Sequence, residues 1–136
     1  MTAWRFHNPV DVRFGRGVLA QLDQVLGGRP YALVTYGDTV FAPLIARVAA
    51  AAGAPALLID DVQPNPDFAY LETACARFAE LPAPPRAIVA LGGGSAIDSA
   101  KVMAAAAGDF ARVRRFLETG EGADDLAAIP LAPAAR

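Results

Sequence analysis

Three consecutive glycines carry the strongest chemical signal in this sequence. They stand in Ala90-Leu91-Gly92-Gly93-Gly94-Ser95-Ala96-Ile97-Asp98-Ser99-Ala100-Lys101, where an apolar run ends and a helix-forming stretch begins at once. Glycine lets a backbone approach a ligand closely, and the first amides of a helix have no acceptor inside it. Those free N–H groups, aided by the helix dipole, suit a phosphate or pyrophosphate. Ser95 can cap the helix or donate to a phosphate oxygen, while Asp98 and Lys101 share one helix face. As purely structural residues, the same set would form a tight turn and a surface ion pair.

Two familiar phosphate loops do not fit this stretch. A P-loop places its lysine directly after the last glycine, whereas Lys101 follows Gly94 by seven positions. A dinucleotide fingerprint starting at Gly92 needs a small residue where Ile97 stands. Gly15-Arg16-Gly17-Val18-Leu19-Ala20 satisfies that pattern better, and Asp38 follows about 20 residues on, where a ribose-binding acid belongs. The flanking strand and helix are short, however, so Gly15 and Gly17 read as turn residues. Other chemistry is sparse. His7 is the one histidine, read as structural or solvent-facing, and cannot build a histidine-based metal cluster. Cys75 is the one cysteine, has no partner for a disulfide, and reads as a small core residue.

The elements that must hold the glycine loop follow from apolar runs and their punctuation. Trp4–Phe6 and Asp11–Phe14 read as a hairpin around Asn8-Pro9. Helices are expected over Val18–Leu26, ended by Gly27-Gly28, and over Phe41–Ala52, stopped by Gly53 and tolerant of Pro43 in its first turn. Asp67 should cap a helix from Phe68 to Glu80 with Leu71, Cys75, Phe78 and Ala79 inward. Further helices are expected over Ser95–Ala107 and Phe110–Leu117. Strands are expected at Tyr31–Thr35, Ala56–Asp60 and Ala87–Leu91, the last wholly apolar and therefore suited to a central position. Alternation of this kind implies an α/β domain with a mainly parallel sheet between helices.

Composition narrows the function classes. The chain has 136 residues, 54% of them apolar and 19% charged, enough for one domain spanning residues 1–136 with a proper core. A net charge of −2 and no basic run beyond Arg114-Arg115 argue against nucleic acid as a partner. No apolar run approaches the roughly 20 residues of a membrane helix, so a cytoplasmic location is expected.

Gly92-Gly93-Gly94-Ser95-x-x-Asp98-x-x-Lys101, after Ile88-Val89-Ala90-Leu91, resembles the signature of the iron-containing (metal-dependent) alcohol dehydrogenase family. Phe14-Gly15-x-Gly17, Leu33-Val34-Thr35 and Pro64-Asn65-Pro66 are similar to further family features in the same order. The resemblance spans nearly the whole chain. It implies a Rossmann-like three-layer domain, with Gly92, Gly93, Gly94 and Ser95 at the pyrophosphate of NAD or NADP. Asn65 would touch the cofactor from its loop, and Asp98 would line the cleft near the nicotinamide half. Where many members place an aspartate after Val-Thr, this chain has Tyr36, with Asp38 two positions on, which leaves NAD versus NADP open.

In the family a helical C-terminal domain carries the divalent metal, iron or zinc. This sequence offers no such ligand set. The expectation is a cofactor-binding part of an NAD(P)-dependent oxidoreductase, inactive alone. The missing half would be supplied by further sequence or by a separate chain, and self-association stays open. Two alternatives are a stand-alone nucleotide- or phosphate-binding module without catalysis, and a nonfunctional truncation.

Overall fold

The computed structural model describes Asn8 and residues 10–126. A 3-10 turn, Val18–Gln21, leads into α1 (Leu22–Leu26). Then follow β1 (Tyr31–Val34), α2 (Ala42–Ala52), β2 (Leu57–Ile59), α3 (Phe68–Ala79), β3 (Ala87–Ala90), α4 (Gly94–Ala106) and α5 (Phe110–Thr119). The three strands form one parallel sheet in the order β2-β1-β3, with Val34 facing Ile59 on one side and Ala90 on the other.

Side chains along a strand alternate between faces, and β1 uses both. Tyr31 and Leu33 pack with Leu26 and Val48, so α1 and α2 cover one face. Ala32 and Val34 pack with Leu71, Ala74 and Cys75 of α3, Ala96 and Met103 of α4, and Phe110 and Val113 of α5. The result is three layers, helix, sheet and helix. Among the described residues no helix is long and apolar enough to cross a membrane.

Local chemistry explains most boundaries. The Asp67 carboxylate accepts the Tyr70 N–H at 2.8 Å and starts α3. Pro43 lies in the first turn of α2, where its missing donor costs nothing, and Gly53 ends that helix. On α3 the inward face is Tyr70, Leu71, Ala74, Cys75 and Phe78, whereas Ala79 is exposed. Val18–Leu26 divides into a 3-10 turn and a short α-helix because it begins on Gly17 at φ 79° without a side-chain cap.

Two expectations change. β3 is at an edge of the described sheet and not its centre, and β1 takes the central place with all four residues buried. An apolar run reports burial on two faces, which helices above and below β3 provide; it does not report how many strands lie alongside. Asp11–Phe14 has no regular structure, and Phe14 is fully exposed, with no strand among the described residues pairing beside it. Trp4–Phe6 and His7 lie outside the described residues.

Candidate functional site

The strand order creates the site. The chain leaves β1 toward β2 on one side, then returns past β1 to reach β3 on the other. The chain passes from β1 into α2 on one face and from β3 into α4 on the opposite face, so these connections diverge and leave a crevice at the C-terminal ends of the two strands. The residues at that crevice are Thr35 and Tyr36 after β1 and the three glycines after β3.

Thr35 stitches the strand ends together. It is completely buried. Its N–H donates to Ile59 O at 2.8 Å and its carbonyl accepts from Val62 N–H at 3.2 Å, which ties it to β2. Its hydroxyl donates to Leu91 O at 2.8 Å, and Leu91 N–H donates to Val34 O at 2.9 Å, which ties it to the glycine loop. A polar residue ending an apolar run was the one available signal for this role.

Tyr36 sits against the loop. Gly92 has φ 149°, and a Cβ there would lie 2.5 Å from Tyr36 Cε2, so only glycine fits beneath the ring. Phe41 packs on the other side, its ring centroid 5.0 Å from that of Tyr36.

Gly93 and Gly94 are glycines for a different reason. Gly93 has φ −88°, and neither residue has the positive φ that would demand glycine. A Cβ on Gly94 would meet nothing within 4 Å, and one on Gly93 would meet only the Tyr36 hydroxyl at 3.9 Å. The first backbone hydrogen bond of α4 runs from Ile97 N–H to Gly93 O, at 3.1 Å, so three amides precede the ladder. Unbonded amides next to open space at both Cβ positions form a cradle with the chemistry to receive an anion.

The expected site residues divide between two grooves beside this cradle. Asn65, Gly94, Ser95 and Asp98 line one of about 590 Å³, walled by Phe68, Leu71, Val102 and Leu117. Here Asn65, at φ 51°, donates its N–H to Ser95 Oγ at 3.2 Å, which fixes the loop to the start of α4. That bond leaves the Ser95 hydroxyl proton for another acceptor. Asp98 pairs with Lys101 at 3.2 Å, both side chains about 70% exposed, so the pair contributes little stability. Asp38 is elsewhere, in a second groove of about 650 Å³ with Tyr36, Phe41, Asp60 and Asp61. Asp61 is held by both guanidinium nitrogens of Arg77. Among the described residues no three His, Cys, Asp or Glu side chains converge as a metal centre requires, so these residues do not fit the family metal.

The sequence model for iron-containing alcohol dehydrogenases matches residues 9–134. The chain belongs to that family. Comparison with curated proteins gave no match. Among solved structures it is similar to a sulfoacetaldehyde reductase from Bifidobacterium kashiwanohense in complex with NAD+, with 26% identity and a TM-score of 0.67. It is also similar to an NADH-dependent butanol dehydrogenase from Thermotoga maritima, with 29% identity and a TM-score of 0.64. Each likeness covers 79% of this chain, which spans 29% and 28% of those proteins.

Proposed function

We propose that this chain binds a nicotinamide adenine dinucleotide with the pyrophosphate over Gly93 and Gly94. The complete protein would then interconvert alcohols and aldehydes. The observation that carries the reading is the pair of glycines whose backbone could belong to any residue but whose Cβ positions face open space. The amides of Gly94 and Ser95 would donate to the phosphate oxygens, with the α4 dipole favouring the negative charge. Ser95 would give its hydroxyl proton to the same group while still accepting from Asn65. Thr35 would hold the loop still from beneath, through Leu91. When bound, the dinucleotide supplies a ring that accepts or returns a hydride. Asp98, beside the cradle in the Phe68 and Leu117 groove, would face the nicotinamide half.

Calorimetric titration of the chain with NADH tests this. Gly93→Val and Gly94→Val should each abolish binding, with the circular dichroism spectrum unchanged because neither residue needs a positive φ. Equal affinity in wild type and both variants would remove the pyrophosphate from this loop.

A further inference from the structure

The segment ahead of the first helical turn carries a pattern that no other described element takes up. Val10-Asp11-Val12-Arg13-Phe14 alternates apolar and charged residues, the period that sends successive side chains to opposite sides of an extended chain. Its charged side is tied down. Asp11 Oδ2 and Arg13 Nε are 3.0 Å apart, and the Arg13 guanidinium also donates to Gln21 Oε1 at 3.3 Å. Its apolar side is open to solvent, with Val10 66%, Val12 79% and Phe14 fully exposed. Single exposed valines are ordinary, but three apolar side chains in a row along one side of an unpaired segment offer a seat to another strand. A hairpin with Trp4–Phe6, as the sequence suggests, would occupy one edge of this segment and leave the other.

We infer that residues 10–14 pair antiparallel with the same segment of a second copy of the chain, centred on Val12. The sequence is self-complementary about that residue. Val10 then faces the second copy's Phe14, Asp11 faces the second copy's Arg13, and Val12 meets its own counterpart. Every contact off the centre is made twice, as a two-fold axis requires. Opposite charges lie across from one another on one side of the ribbon and apolar side chains on the other. Parallel pairing in register would set Asp11 against Asp11 and Arg13 against Arg13, which like-charge repulsion disfavours. Five extended residues span only about 17 Å, and a strand pair of that length buries far less than the roughly 1,200 Å² of a stable interface. The dimer is therefore weak, with a Kd of about 10–500 μM.

Sedimentation velocity on the full chain, from about 5 to about 500 μM, tests this. Wild type should move from monomer towards dimer across that range. Asp11→Lys and Arg13→Glu should each weaken self-association at least about fivefold, because each sets like charges opposite one another. An equimolar mixture of these two variants should form a heterodimer near the wild-type Kd, since every charged pair across the strands again has opposite sign. The double variant Asp11→Lys/Arg13→Glu should recover self-association to within about twofold of wild type. Phe14→Ser should weaken the dimer whatever the charges. Circular dichroism of all the variants should match wild type, because the segment is exposed and lies outside both core clusters. A monomer throughout the range would overturn the inference. So would a dimer indifferent to the single charge reversals, or a mixture of the two variants that fails to associate.

Discussion

Thr35→Val tests the stitch beneath the glycine loop with the least change of shape. The substitution keeps the branched side chain and removes one hydroxyl from a site with no solvent exposure. It deletes the 2.8 Å bond to Leu91 O, which accepts no other hydrogen bond among the described residues. Loss of a hydrogen bond with one partner left behind costs about 1–3 kcal/mol, and the new methyl group returns up to ~0.8 kcal/mol. Leu91 is only half-buried, so water can reach the site in part. The net expectation is a loss of roughly 1–2 kcal/mol, seen as a lower urea midpoint at unchanged slope. Binding should separate this role from simple packing. Without the bond, Leu91 and Gly92 are tied to β1 only through the Leu91 N–H, and affinity for ADP-ribose should fall several-fold. Thr35→Ser removes a core methyl group and costs similar stability, yet keeps the hydroxyl and should keep the affinity. A serine variant that loses as much affinity as valine would refute the stitch, and so would a valine variant matching wild type in both assays.

Gly17→Ala should destabilise the chain by about 1 kcal/mol, because alanine at φ 79° is strained, while leaving ADP-ribose affinity intact. Intact stability with lost binding would instead make residues 15–20 the phosphate fingerprint. Stability should also fall at alkaline pH. Burial raises the Cys75 thiol to about 11 and, with help from Asp61, the Tyr70 phenol to about 12. Both groups ionise earlier in the unfolded chain. The native state therefore loses ~1.4 kcal/mol per pH unit for each group, from about pH 9 for Cys75 and about pH 10 for Tyr70. Urea melts of Cys75→Ala against wild type between pH 8 and 11 should show a shallower decline in the variant, and parallel declines would contradict the assignment.

What the sequence makes legible is local. Asp67 as a cap, Pro43 in a first turn, Gly53 as a stop and the strand-glycine-helix passage at residues 87–94 all depend on a few neighbouring residues, and all are present. Sheet order depends on which side each crossover takes, and no window of sequence encodes that, so the centre expected for β3 belongs to β1 among the described residues. The same limit applies to the site. Asn65 and Ser95 come from two separate motifs, and only the resemblance assigns both to one cofactor; their hydrogen bond, and the distance between Asp38 and that pair, emerge only when loops from different strand ends are folded side by side. Thr35 stands out in sequence only as a polar residue ending an apolar run; its role as a linchpin is hidden because its partners, Ile59, Val62 and Leu91, are spread across the chain.

The contact between Tyr36 and Gly92 also shapes how this chain can change by mutation. With the phenol ring in place, any Cβ at position 92 would be driven into it at 2.5 Å, on top of a backbone angle that already favours glycine. A smaller residue at 36 would lift the first obstacle and leave the second. The two positions are therefore epistatic: the cost of altering Gly92 depends on what occupies position 36. Lineages that exchange Tyr36 first can explore position 92 at lower cost than lineages that try the reverse order. The aromatic side chain after β1 thus works as a ratchet on a glycine loop more than fifty residues away in the sequence.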